Sequence, residues 1–183
     1  MPRLILGLGV VLFLLLAGIA LWLDRPTAGV PFRPSPSEKI DVTAGAIYSA
    51  RFADMAGNEQ ELGQWQHRLL VINFWATWCA PCKEEMPMLA RMQEKYRAQG
   101  LQIVGVAVDS HENVAKFSQN LPVGYPLLAD ELRAIEFSKR LGNRLGLLPF
   151  TVAVQPGGKV IFSRLGIIPE SEMIDLIVKN TVK

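Results

Sequence analysis

Cysteine and histidine are scarce in this 183-residue chain, with two of each: Cys79, Cys82, His67 and His111. A four-ligand zinc site would need all of them to converge. Their separations show no recurring ligand spacing, so structural zinc is set aside. Excess charge is lacking as well. The formal net charge is +2 and the basic residues are scattered, which leaves no phosphate-tracking patch and excludes a nucleic-acid partner. No internal repeat occurs, and no low-complexity segment follows the proline-rich stretch described below.

Charge is absent altogether between Leu4 and Leu23. A helix of about 20 such residues, rising about 1.5 Å each, spans roughly 30 Å, the thickness of a bilayer hydrocarbon core. Arg3 precedes the run, and Asp24 and Arg25 follow it. Positive charge at the start favours a cytoplasmic N-terminus with the rest of the chain exported. Residues 1–23 are therefore expected to form a transmembrane anchor, with Trp22 at its outer interface and the remainder on the extracytoplasmic side of the cytoplasmic membrane. A cleaved signal peptide is the competing reading, because Gly18 and Ala20 are small residues after an apolar stretch. Cleavage there would leave an exposed Leu-Trp-Leu terminus, which favours the anchor. With no cysteine near the segment, a lipid-modified cysteine anchor is excluded.

Residues 24–46 read as a linker. Pro26, Pro31, Pro34 and Pro36 keep it extended at about 3 Å per residue, a reach of up to about 60 Å. The folded domain is expected over residues 47–183. Ile47–Phe52 suggests a strand, with a turn at Gly57-Asn58. Leu69–Ala76 and Leu101–Asp109 are short apolar runs that read as strands buried on both faces. Between them Cys82–Gln99 has helical periodicity and Gly100 as its stop. Strand, helix, strand is a βαβ unit with parallel strands. Two further helices, His111–Asn120 and Glu131–Leu141, flank an extended piece at Tyr125–Ala129. Phe150–Val154 and Val160–Leu165 form a hairpin about Gln155–Lys159. Glu170–Lys179 closes the chain as an amphipathic helix with Met173, Ile174 and Ile177 inward.

The chemistry sits in Trp75-Ala76-Thr77-Trp78-Cys79-Ala80-Pro81-Cys82, which follows a buried strand and opens a helix. Cys79 at the helix edge faces the positive end of the helix dipole, which favours the nucleophilic thiolate. Cys82, one turn in, is shielded and can resolve a mixed disulfide. Pro81 suits an early helix position because its missing N–H is not needed there. A purely structural disulfide over so short a loop would constrain the unfolded chain very little, so redox chemistry is the expected use.

The run Asn73–Pro87 (NFWATWCAPCKEEMP) resembles the thioredoxin superfamily and, within it, the exported TlpA/ResA-type thiol–disulfide oxidoreductases. Leu148-Pro149-Phe150-Thr151 resembles that family's cis-proline loop, and Gly157-Gly158-Lys159 and Gly166 its hairpin turn and following glycine. The resemblance covers roughly Ile47 to the C-terminus. It implies a thioredoxin-like α/β fold, a central mixed sheet flanked by helices. It also implies a redox-active disulfide between attacking Cys79 and resolving Cys82, with Trp78 and a cis Pro149 lining the substrate site. Thioredoxin carries a buried Asp where this chain has Asn73, which cannot take a proton. Glu85 matches an acidic residue of the ResA-type site, and the resemblance assigns it proton exchange with Cys82. Pro87 matches the proline that kinks the active-site helix. The resemblance implies no cofactor. Its implied partners are a membrane thiol donor of the DsbD/CcdA kind and, as disulfide substrates, apocytochrome c or copper-site proteins.

Other functions fit less well. Oxidising sites carry His just before the second cysteine, where this chain has Pro81, so reduction is favoured. A peroxiredoxin needs Thr or Ser at the position of Ala76. A copper-delivery module of the SCO type would show a longer cysteine spacing and a histidine beyond His111. Met86, Met88 and Met92 nevertheless keep Cu(I) binding as the alternative, against their use as core filling. The topology is testable by N-terminal sequencing of protein from native membranes, with a terminus ahead of Leu4 expected. A mature terminus near Leu21 would replace the anchor with a cleaved signal.

Overall fold

A computed structural model describes residues 42–121 and 123–181. The expected membrane span and nearly all of the linker lie outside the described residues. No helix among the described residues is long and apolar enough to cross a membrane.

The chain enters through a short helix, α1 (Ala44–Tyr48), and then forms β1 (Arg51–Asp54), β2 (Glu59–Glu61) and a 3-10 turn at Leu62–Trp65. The βαβ unit follows as β3 (Leu69–Trp75), α2 (Ala80–Tyr96) and β4 (Leu101–Ala107). Next come α3 (His111–Asn120), β5 (Leu127–Ala129) and α4 (Glu131–Arg140), and the chain closes with β6 (Phe150–Val154), β7 (Val160–Leu165) and α5 (Glu170–Asn180). The sheet order is β2-β1-β5-β4-β3-β6-β7. Strands β3, β4 and β5 run parallel, whereas β6, β7, β1 and β2 join antiparallel. The sheet is therefore mixed, as expected.

β3 and β4 are buried along their whole length, which explains why neither alternates in hydropathy. Leu69, Val71, Trp75, Ile103 and Ala153 point to one face, covered by α2, α3 and α5. Leu70, Ile72, Phe74, Val104 and Val152 point to the other, covered by α1 and α4. On that second face Phe137 of α4 packs against Phe52 and Phe74, with ring centroids 5.8 and 6.0 Å apart. Each such fully buried side chain contributes about 1.5–3 kcal/mol relative to exposure. Gly100 adopts φ +96 after the 3-10 turn Arg97–Gln99, the left-handed conformation that lets α2 stop and β4 begin.

One expected strand is a different structure. Ile47–Phe52 does not run as a strand: its first half belongs to α1, and only Arg51–Asp54 pairs in the sheet. Thr43 caps α1 by accepting from the Ala46 amide at 3.2 Å, and Ile47 is wholly buried beneath it. The cap supplies the helix start. α1 straddles residues 46 and 47, where the linker is expected to end. Strand β2 and the turn carrying buried Leu62 were not anticipated, because a three-residue polar edge strand has no hydrophobic period. In α5, Leu176 is buried with Met173 and Ile177, whereas Ile174 is half-buried. Truncating the central aromatic, Phe137→Ala, should lower stability by about 3–5 kcal/mol, read as a lower denaturant midpoint at unchanged slope.

Candidate active site

Cys79 is the N-cap of α2, with extended backbone, and its sulfur accepts from the Cys82 amide at 3.3 Å. The two cysteines form a disulfide with their Cα atoms 5.3 Å apart. Cys82 is wholly buried and Cys79 is 5% exposed, whereas the neighbouring Trp78 is 69% exposed. Ala80 and Pro81 are the first two helical residues, so the proline sits where no amide is required. Beside the motif the Leu148–Pro149 bond is cis. The Gly166 amide donates to the Pro149 carbonyl at 2.8 Å, which draws the end of β7 alongside that loop. The pairing of Phe150 with Phe74 puts Pro149 at the same end of the sheet as the motif that follows β3, the C-terminal end where open α/β sheets carry their sites.

Glu85 lies one turn beyond Cys82 and is only 2% exposed, whereas Glu84 next to it is exposed. Asn73 of β3 donates from Nδ2 to Glu85 Oε1 at 2.7 Å and to Thr151 Oγ1 at 3.0 Å. The Ile168 amide donates to Glu85 Oε2 at 3.2 Å. Burial pushes the carboxyl up to about 7, against the lowering pull of Asn73, the Ile168 amide and the Arg164 charge. Near neutrality such a group exchanges protons readily in either direction. Pro87 lies within α2. Met86, Met88 and Met92 are buried in the core under this helix, so their thioethers serve packing. Among the described residues no three His, Cys, Asp or Glu side chains gather as a metal site. His67 is exposed, and His111 Nε2 lies 2.8 Å from the Asp54 carbonyl.

Two positioning residues escaped the sequence reading. Asp109, 5% exposed, accepts at Oδ2 from the Thr77 amide (3.0 Å) and hydroxyl (2.5 Å). Its Oδ1 accepts from the Ser110 amide at 2.8 Å and from Asn113 Nδ2 at 2.9 Å. Burial pushes its carboxyl up, but Thr77, Asn113 and the two backbone amides outweigh that and hold it below the usual range. Asp109 thereby ties the loop bearing Trp78 and Cys79 to the start of α3. Its place at the end of a buried strand, adjacent in the sheet to the motif's own strand, was the available signal. Asn143, also buried, exchanges hydrogen bonds with the Leu147 amide (3.1 Å) and carbonyl (2.9 Å), shaping the approach to cis-Pro149. An isolated Asn in a Gly-Asn-Arg turn carries no comparable signal.

The elevated Glu85 carboxyl makes a signed prediction for the oxidised protein, in which neither thiol titrates. The buried acid is easier to keep protonated in the native state than in the unfolded chain. Its contribution is therefore intact below pH 4.5 and lost as the pH rises to about 7 and beyond. Denaturation midpoints across that window should fall in the parent and stay level in Glu85→Gln. Parallel profiles would mean an ordinary exposed carboxylate.

Comparison with known proteins agrees with this geometry. Residues 44–163 match the AhpC/TSA family. The thiol-disulfide oxidoreductase ResA of Bacillus subtilis (strain 168) is 32% identical over 131 residues, 71% of this chain and 70% of that protein. Among solved structures, a thioredoxin-related protein from Neisseria meningitidis serogroup B is 30% identical at TM-score 0.63, covering 70% of this chain and 97% of that one. A secreted thiol-disulfide isomerase from Corynebacterium glutamicum shares the fold at TM-score 0.66 and 18% identity, covering 79% of this chain and 93% of that one. The chain belongs to the thioredoxin-like AhpC/TSA family and, with its ResA relatives, is an enzyme of thiol–disulfide interchange.

Proposed function

We propose that the protein reduces disulfides in exported partner proteins, held at the cytoplasmic membrane by residues 1–23 and reaching outward on the linker 24–46. The observation that carries this reading is the cysteine pair at the start of α2 with a buried, near-neutral carboxyl one turn below it. In the reduced enzyme the Cys79 thiolate, favoured by the α2 N-terminus, attacks a substrate sulfur. The substrate S–S bond breaks, one substrate thiol leaves, and a mixed disulfide remains on Cys79. Cys82 then gives its proton to Glu85 and attacks the Cys79 sulfur. This step releases the second substrate thiol and regenerates the Cys79–Cys82 disulfide. Two electrons have passed to the substrate. A membrane thiol donor of the DsbD/CcdA type returns them.

In this reading Trp78 and cis-Pro149 border the attacking Cys79 sulfur, and an extended cysteine-bearing segment would lie between them. Pro81 before the second cysteine, in place of a thiolate-stabilising histidine, supports reduction over oxidation. Apocytochrome c and proteins with cysteine copper sites are the proposed acceptors, each needing reduced thiols before its metal group is inserted.

The test is trapping in the native organism with full-length Cys82→Ser protein, which cannot complete the second attack. Mixed disulfides that dissolve on adding reductant should accumulate, carry exported proteins with paired cysteines, and vanish when Cys79 is also replaced. Stoichiometric Cu(I) retention without any such adduct would instead support a copper-binding module.

A further inference from the structure

A chain of hydrogen bonds reaches Glu85 from β7. Arg164 of that strand donates from Nε to the Ile167 carbonyl at 3.0 Å. That carbonyl and the Ile168 amide are the two ends of one peptide group, and the amide donates to Glu85 Oε2 at 3.2 Å. The peptide is trans, so its C=O and N–H point in opposite directions. The guanidinium and the carboxylate therefore grip the same planar unit from its two sides. Gly166, at φ +86, turns the chain just before it, and the Gly166 amide donates to the Pro149 carbonyl at 2.8 Å. Three successive residues thus hold the cis-proline loop, Arg164 and Glu85.

A hydrogen bond received at a carbonyl polarises the peptide and strengthens the bond given by its N–H. Arg164 acts through space as well, because its charge pulls the Glu85 carboxyl down against the larger upward push of burial. The guanidinium is itself oriented from α5, where Glu172 Oε2 accepts from Arg164 Nη1 at 2.6 Å. The negative charge of Glu172 partly offsets what Arg164 does for Glu85. The Arg164 side chain is only 24% exposed, so water screens it incompletely.

We propose that Arg164 is a positioning residue for Glu85: its guanidinium fixes and polarises the Ile167–Ile168 peptide, and so holds the Glu85 carboxylate ready to take the Cys82 proton. The inference rests on the reading of Glu85 as the base for Cys82. The charged and titratable groups around Glu85 are few. Cys79 and Cys82 of α2 do not titrate while they form the disulfide. Tyr125, ahead of β5, stays neutral, because burial and then the Glu85 charge push its ionisation up. Arg164 of β7 and, behind it, Glu172 of α5 complete the set. Asn73 and Thr151, which complete the hydrogen-bonded group, carry no charge.

Two variants test the assignment through opposite signs. Arg164→Met keeps an unbranched stem and removes both the charge and the donors. Glu172→Gln leaves the guanidinium an oxygen acceptor and removes only the opposing charge. The readout is the infrared band of the protonated Glu85 carboxyl in oxidised protein, identified by its loss in Glu85→Gln. Its titration midpoint should rise by about half a pH unit or more in Arg164→Met, and fall by a smaller step in Glu172→Gln. The Ile168 amide proton resonance should titrate with the same midpoint and move upfield in Arg164→Met. The pH profile of exchange with a model disulfide should shift up in the first variant and down in the second. Were Arg164 merely a tie between β7 and α5, both variants would loosen the same tie. Midpoints that move the same way or not at all, or an Ile168 amide that does not follow the carboxyl, therefore overturn the Arg164 assignment and leave Glu85 standing. If Glu85→Gln itself leaves the exchange profile unchanged, the base assignment fails first and the Arg164 inference falls with it.

Discussion

The carboxylate of Glu85 is where the packing of the sheet and the chemistry of the thiols meet. One oxygen is held by Asn73 of β3 and the other by the Ile168 amide just after β7, and Asn73 in turn holds Thr151 of β6. A single acidic side chain on α2 is thereby bonded to two segments of the sheet side and, through Asn73, to a third. Hydrogen bonds to an ionised group contribute about 1.5–3 kcal/mol each, yet burying the charge costs more than these return, and the carboxyl rises to about 7. That imbalance leaves a structural tie whose carboxyl titrates near neutrality. A fully compensated carboxylate at this position would be stable and inert.

Asp109 shows the opposite balance. It accepts four hydrogen bonds, and its carboxyl is held below the usual range. It stays charged and fastens the Thr77–Trp78–Cys79 loop to α3. The two buried acids thus divide the work: one fixes the cysteine loop, and the other, less well satisfied, titrates beneath it. Both depend on the adjacent parallel strands β3 and β4. Glu85 leans on β3 through Asn73, and Asp109 follows the end of β4.

Most of the scaffold was legible because its elements carry their own signals. β3 and β4 are uninterrupted apolar runs, the β6–β7 hairpin has its glycine turn, and α3 begins at Ser110, whose side chain caps it. The reading failed at Ile47–Phe52, where a Thr43 cap starts a short helix that buries Ile47. Short edge strand β2 depends on its neighbour β1 for existence and leaves no period of its own. At the site, the cysteine pair was visible from its spacing at the start of a helix, whereas Glu85 was singled out only by the family resemblance. Asp109 and Asn143 were not, because their partners are loops whose positions depend on the whole sheet.

By itself the amino-acid sequence determined the redox pair, the helix it opens and the βαβ unit around it. Each of these rests on interactions between residues close in the chain: helix period, capping, a proline placed where an amide is not needed. Only the tertiary structure decided which carboxyl is buried and titrates near neutrality. Glu84 and Glu85 are indistinguishable in composition and adjacent in sequence. The helix turns one toward water and the other under the sheet, where desolvation acts on it alone. Desolvation is a property of everything packed around a group, and no local pattern of residues encodes it.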